Sequence, residues 1–262
     1  MERGETAGNP AFQSQIANRQ SQIISLYPSL PPPIDTPLVS LSPHPCPYLP
    51  DRVARDRGIW AEELPAELYQ RFMDAGFRRS GKLLYQPVCR GCRECRSIRV
   101  PVATFRASKS QRRCARRNAD LKITIATPSP TDEKFDLYCH YLTGWHGRQE
   151  AEDRLTFETF LYDSPLDSLE FEYRDPSGQL LATGICDPCP RGLSSVYFYF
   201  DPSMSRRGLG TFGALTEIAF AARTGLPYYY LGYHVAGCPS MQYKADFRPN
   251  ELLHGDGVWR PA

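Results

Sequence analysis

The chain has 262 residues, 41% of them hydrophobic, 23% charged and 12% aromatic, with a net charge of +2. That length can bury one large core or two modest ones. No apolar run approaches the roughly 20 residues of a membrane span, and the polar start MERGETAGNPAFQSQIANRQ lacks a signal-peptide pattern, so the expectation is a cytoplasmic protein with no membrane partner.

Taken in chain order, residues 1–37 predict a disordered tail. The first 27 are Gln/Ser/Asn-rich, and nine prolines fall between Pro28 and Pro50, which forbids regular helix or central strand. SPHPCPYLPDR (42–52) is the expected junction with the folded body. Residues 63–75 predict a helix, with Pro65 in its first turn and Gly76 as its stop. KLLYQPV and SIRVPVATF alternate like strands on either side of a cysteine cluster. Ser108 or Ser110 can cap a short basic helix reaching 119, and LKITIAT (121–127) reads as a strand.

Beyond 130, TDEKFDLYCHYLTGWHG and TFETFLYDS suggest helices. SLEFEYRD, QLLATGICDP and SSVYFYFDP follow as strands, with DPSG (175–178) as a turn. MSRRGLGTFGALTEIAFAART is a glycine-bearing loop opening a helix, and PYYYLGY is an apolar strand. This order predicts an α+β fold with a mainly antiparallel sheet. The expected division is a smaller Cys-containing, basic N-terminal domain at 38–125 and a larger domain at 126–262.

Cys89, Cys92 and Cys95 sit at strict x2 spacing, each beside an arginine. One tight turn can present such thiols together, and flanking guanidinium groups favour the thiolate. Three free structural cysteines are the plainer alternative. A tetrahedral site needs a fourth ligand, for which Cys46 is the first candidate and Cys114 the second. Nine cysteines without a secretion signal fit thiols or ligands better than a disulfide framework. Cys186 and Cys189 form a second C-x-x-C without a partner pair.

Charge is concentrated around the cluster. Residues 89–117 carry ten Lys/Arg and one acid, Glu94, a local +9 that leaves the remainder near −7. Arginine forks on such a segment suit nucleic-acid phosphates, although a solvated basic face is the usual outcome of a charge run. SRRGLGTFGALTE (205–217) nearly fits the acyl-CoA pyrophosphate loop of N-acetyltransferases, except that Ser205 stands where Gln or Arg is expected. LGYHVAGCPSMQYKADFRPNELL (231–253) places Tyr233, His234, Tyr243, Lys244 and Arg248 in irregular chain after a strand, a common setting for binding residues.

Together, SPHPCPYLP, RRSGKLLYQPVCRGCRECRSIRVPVATFRASKSQRRCARRN, YFYFDPSMSRRGLGTFGALTEIAFA and LPYYYLGYHVAGCPSMQYKADFRPNELL resemble the arginyl-tRNA–protein transferase family. The likeness is nearest to its bacterial aspartate/glutamate leucyltransferase branch and spans about 42–253. It implies an N-acetyltransferase-like (GNAT-like) second half and an enzyme that moves an aminoacyl group from charged tRNA to a protein's N-terminal Asp or Glu, marking that protein for N-degron degradation. Leucine is the expected donor residue and arginine the alternative. The family's common loop has Ser-Leu-Gly where this chain has Gly208-Leu209-Gly210.

Under that resemblance, Arg106, Arg112, Arg116, Arg117, Arg206 and Arg207 are candidate tRNA contacts. Lys109, Arg113, Lys244 and Arg248 are candidates for the acceptor's carboxylate. Cys46, Cys89, Cys92 and Cys95 would hold zinc or an iron–sulfur cluster, which the transfer chemistry itself does not require. No residue is singled out as the general base; Tyr233 and His234 are the catalytic candidates, and DNA is not an expected partner. Two rivals remain, an acetyl-CoA-dependent N-acetyltransferase and a non-catalytic metal-dependent nucleic-acid-binding protein.

Overall fold

The computed structural model describes residues 37–149 and 152–262. All of the expected tail except Pro37 lies outside the described residues. In chain order the strands are β1 (Val39–Ser40), β2 (His44–Pro45), β3 (Val53–Ala54), β4 (Asp56–Trp60), β5 (Arg78–Ser80), β6 (Leu83–Pro87), β7 (Arg96–Pro101) and β8 (Lys122–Ala126). They continue as β9 (Leu169–Arg174), β10 (Leu180–Cys189), β11 (Gly192–Phe200), β12 (Tyr228–His234), β13 (Glu251–Leu253) and β14 (Trp259–Pro261). The α-helices are α1 (Ala66–Asp74), α2 (Lys109–Arg117), α3 (Asp132–His146), α4 (Arg154–Phe157), α5 (Leu209–Arg223) and α6 (Pro239–Gln242).

Eight strands form one sheet in the order β14-β13-β7-β12-β11-β10-β9-β8, antiparallel throughout except for the β11–β12 pair. Strand alternation builds the layers around it. On β9, Phe171 and Tyr173 turn to α5, where their rings meet Phe220 and Phe212. Glu170 and Glu172 turn to α3, where both pair with the buried ammonium of Lys134. The expected α+β class with a mainly antiparallel sheet is what forms. A smaller antiparallel sheet, β1-β4-β6-β5, packs with α1 over a second core of Tyr69, Phe72, Met73, Phe77, Leu84 and Tyr230.

Local signals account for the element ends. The Ser108 hydroxyl accepts from Gln111 N while Gln111 Oε1 accepts from Ser108 N, a reciprocal cap that starts α2. Pro65 precedes α1, and Gly76 (φ +85°) turns the chain out of it. The boundary expected at 125/126 runs inside the large sheet, because β7 and β8 from the N-terminal segment both pair within it. Non-local pairing of that kind leaves no trace in local periodicity.

A buried ion pair ties the two sheets together. Arg79 on β5 donates from Nε (2.6 Å) and Nη2 (3.0 Å) to the two carboxylate oxygens of Asp187 on β10, and both side chains are fully buried. Ser168 Oγ and Tyr69 Oη complete the shell of Asp187 at 2.6 and 2.9 Å.

Candidate active site

The parallel β11–β12 pair positions the site. β11 and β12 pair at only three positions, Gly192–Tyr228, Leu193–Tyr229 and Ser194–Tyr230, after which no ladder joins them. A cavity of about 750 Å³ opens there, reaching from β4 and the Cys46 segment to α3 and the first turns of α5. Ser205, Gly208, Leu209 and Gly210, singled out by their likeness to a pyrophosphate loop, all line it.

Arg78 reaches into the parting. Its Nη1 donates to Ser194 Oγ at 3.1 Å and its Nη2 to the Ser195 carbonyl. β12 accommodates it with a bulge between Tyr230 and Gly232. Gly232 has φ +90°, and a Cβ there would stand 3.2–3.3 Å from the guanidinium, so glycine serves both the turn and the close approach. Sequence reasoning missed Arg78; in RFMDAGFRRSGK nothing local separates it from Arg79, which is consumed by Asp187.

Lys244 lines the same cavity, is buried, and donates to the Tyr233 carbonyl at 3.0 Å. Burial, reinforced by the nearby Arg78 charge, brings its ammonium down to about 7. Among the described residues neither Arg78 nor Lys244 has an acidic partner. Two buried cations without counter-ions facing one cavity make a receptor for an anionic group.

Glu217 on α5 also lines the cavity. Tyr229 Oη donates to its Oε2 at 2.5 Å, while Oε1 is buried with no hydrogen-bond partner among the described residues. Burial raises its carboxyl to about 7, held back by the Tyr229 hydroxyl and by the Cys186 thiol and Ser195 hydroxyl beside it. At the α3 end the wall is aromatic: Trp145 and Tyr141 each lie 5.1 Å from Phe200, and Phe160 lies 5.1 Å from Tyr197.

The other expected site residues divide sharply. Of the four candidates for an acceptor carboxylate, only Lys244 lines the cavity; Lys109, Arg113 and Arg248 are exposed and outside its wall. Tyr233 lines it, but its hydroxyl donates to the Gly76 carbonyl at 3.0 Å, so it is a packing residue with a committed proton. His234 is half-buried outside the wall, and burial together with Arg96 and Lys244 lowers its imidazole.

Arg106, Arg112, Arg116, Arg117 and Arg206 are exposed. α2 is docked to the 202–208 segment, with Asn118 Nδ2 donating to the Arg207 carbonyl at 2.9 Å and Arg117 to that of Arg206. The two basic segments thus meet on one surface although they lie about ninety residues apart in the chain. Arg207 differs: both Nη atoms are held by Asp120 at 2.9 Å, which makes it a structural pair rather than a free cation. Cys114 is buried against this junction, with its thiol donating to the Gly208 carbonyl at 3.3 Å.

Cys46, Cys89 and Cys95 line the cavity, and Cys92 lies in an adjoining recess with Arg52, Arg55 and Arg90. Burial and then its neighbours Cys89, Cys46 and Cys92 push the Cys95 thiol up to about 12, so the four share one neighbourhood. All four are free thiols, and among the described residues no group of three or more His, Cys, Asp or Glu stands in metal-holding geometry. The donor chemistry suits zinc or iron–sulfur, but the arrangement is not a closed cage. Cys186 and Cys189 are buried thiols in the large sheet.

Among the described residues no helix is long and apolar enough to cross a membrane. Two family models match in succession, "Arginine-tRNA-protein transferase, N terminus" over 44–113 and "Arginine-tRNA-protein transferase, C terminus" over 133–254. Curated relatives named aspartate/glutamate leucyltransferase include one from Stenotrophomonas maltophilia (strain K279a), 43% identical over 81% of this chain and 88% of that protein. Another, from Pseudomonas putida (strain W619), is 41% identical over 80% and 91%. Among solved structures, FemX is 11% identical with a TM-score of 0.48, covering 70% of this chain and 65% of its own. L-PGS from Bacillus licheniformis is 13% identical with a TM-score of 0.43, covering 64% and 50%. Those structural likenesses are too loose to carry weight, but the sequence matches span most of the fold and its cavity: the chain belongs to the arginine-tRNA-protein transferase family.

Proposed function

We propose that this protein transfers leucine from leucyl-tRNA to the α-amine of proteins that begin with Asp or Glu, in the cytoplasm, as an N-degron mark. The observation that carries the proposal is the pair Arg78 and Lys244, buried in the cavity at the parting of β11 and β12 and without an acidic partner among the described residues. An acidic N-terminal side chain is the complement of that pair, and a basic one is repelled by it. The names of the relatives agree with this polarity.

Leucine is favoured over arginine by the mainly aromatic wall of Tyr141, Trp145, Phe160, Tyr197 and Phe200, where no described lining residue is a carboxylate that could fork with a guanidinium. The exposed arginines of α2 with Arg206 offer a surface for tRNA phosphates next to the glycine turn that opens the cavity. Aminolysis of an aminoacyl ester is downhill, so the protein's work is alignment of a neutral amine on the ester carbonyl. Cys46, Cys89, Cys92 and Cys95 are the proposed ligands of a zinc or iron–sulfur centre that stiffens the cavity's N-terminal wall. Elemental analysis of anaerobically purified protein finding neither metal would remove it.

The deciding experiment supplies charged tRNAs one labelled amino acid at a time, with peptides beginning Asp, Glu, Arg or Ala. Leucine should pass to the Asp and Glu peptides only. Transfer of arginine alone would overturn the donor, and transfer to Arg-initiated peptides the acceptor.

A further inference from the structure

The acceptor's α-amine is an ammonium at neutral pH, with an ordinary pKa of about 8, and it must lose a proton before it can attack an ester. Most polar groups on the cavity wall are already committed. Asp56 is paired with His44 at 2.8 Å, Arg79 with Asp187, and Tyr233 with a backbone carbonyl. Lys244 and Arg78 are cations suited to an anion. His146, at the α3 end of the wall, is engaged with the Tyr141 hydroxyl at 3.2 Å, which leaves Glu217: a wholly buried carboxylate on the wall, anchored through one oxygen by Tyr229 and with its other oxygen unpartnered among the described residues.

Resting on the transferase reading above, we infer that Glu217 takes the proton that the acceptor's α-ammonium gives up. The ammonium N–H transfers its proton to the carboxylate, leaving a neutral amine and a protonated Glu217. The amine's lone pair then forms the C–N bond to the ester carbonyl, and the carbonyl carbon's bond to the ribose oxygen breaks. The amine's second proton leaves with that ribose oxygen, and Glu217 returns its own proton to solvent. The Ser195 hydroxyl, lining the cavity beside Glu217, is placed to hand the proton on.

The surroundings suit a group that cycles between both forms. Tyr173 from β9, Cys186 from β10, Tyr229 from β12 and Tyr243 from the 243–246 turn act electrostatically with Glu217, and among the described residues no cation pairs with it. Its carboxyl near 7 gives a usable carboxylate fraction at neutral pH without making it a weak acceptor.

The test is the pH profile of kcat at saturating peptide, with whichever charged tRNA the wild type accepts. A Glu-initiated peptide is used at saturation, where its carboxylate keeps Lys244 protonated and the effect on affinity does not enter kcat. The wild-type rate should rise with pH through about 7. Glu217→Gln, which can still accept from Tyr229, should lose roughly tenfold at pH 7, the fraction of amine already neutral there, and regain rate toward the amine's own pKa of about 8. Glu217→Asp should keep the limb near neutrality. Tyr229→Phe removes a bond that favours the carboxylate and should move the limb to higher pH. A structural role alone would lower every point of the profile together, and thermal unfolding separates loss of fold. A Glu217→Gln profile of wild-type shape, or an unmoved limb in Tyr229→Phe, would overturn the inference. Wild-type protein that transfers from no charged tRNA would overturn the function itself, and Glu217's role with it.

Discussion

Arg78→Gln is the sharpest probe of acceptor recognition. The side chain reaches from β5 to the parting of β11 and β12, is buried, and has no acidic partner among the described residues. A hydrogen bond to a charged group contributes roughly 1.5–3 kcal/mol, which converts to about one to two powers of ten in kcat/KM for an Asp- or Glu-initiated peptide. The same substitution also disturbs the contacts to Ser194 and Ser195, so the rate with one substrate is not diagnostic. A double-mutant cycle removes that contribution: wild type and Arg78→Gln, each with peptides beginning Glu and Gln. The coupling energy should be about 1.5–3 kcal/mol, because the variant loses selectivity and not merely rate. Stability should change little, since relief of an uncompensated buried charge offsets the hydrogen bonds lost. An equal drop for both peptides would refute the assignment.

Lys244 should give the cavity a pH-dependent affinity. A bound carboxylate favours the ammonium, so binding takes up a proton, and affinity for a Glu-initiated peptide should fall as pH rises through about 7; calorimetry in two buffers reads this. The same depressed pKa costs stability: nothing above the ordinary 10.5, accruing as pH falls toward 7. Lys244→Met should therefore stabilise by up to roughly 4 kcal/mol at pH 6 and little at pH 10, and equal urea midpoint shifts at both pH values would contradict it. Arg79→Ala strands the buried Asp187 carboxylate and should cost about 3–5 kcal/mol by chemical denaturation; a loss under 1 kcal/mol would show the pair is not the tie between the sheets. Replacing Arg112, Arg116 and Arg117 by Ala should flatten the log–log salt dependence of tRNA binding by roughly 0.7–0.9 per contact, whereas Arg207→Ala should lower thermal stability first, because Asp120 holds it.

Local chemistry determined much of this protein. Strand alternation in SLEFEYRD and SSVYFYFDP, the Ser108 cap, Pro65 and Gly76 around α1, and the DPSG turn, where Gly178 N donates to Asp175 O at 2.9 Å, all act over a few residues and are readable there. The ordered run of segments likewise identified the family, and the x2 cysteines and the basic stretch showed where charge and thiols gather.

What the sequence could not specify depends on which distant atoms meet. β7 belongs to the large sheet because its neighbours are residues 228–234 and 251–252, pairings set by global topology. Arg78 and Arg79 are adjacent and chemically identical, yet alternation sends one to Asp187 and the other into the parting of two strands. Lys244 and Arg248 were both candidates for the acceptor's carboxylate, but Lys244 is buried in the cavity wall, where burial and Arg78 bring it down to about 7, and Arg248 is exposed outside it. Glu217 reads as an ordinary polar residue of a helix until β9, β10, β11 and β12 enclose it. Desolvation is a property of the assembled surroundings, so the groups that carry the chemistry became visible only in the tertiary structure.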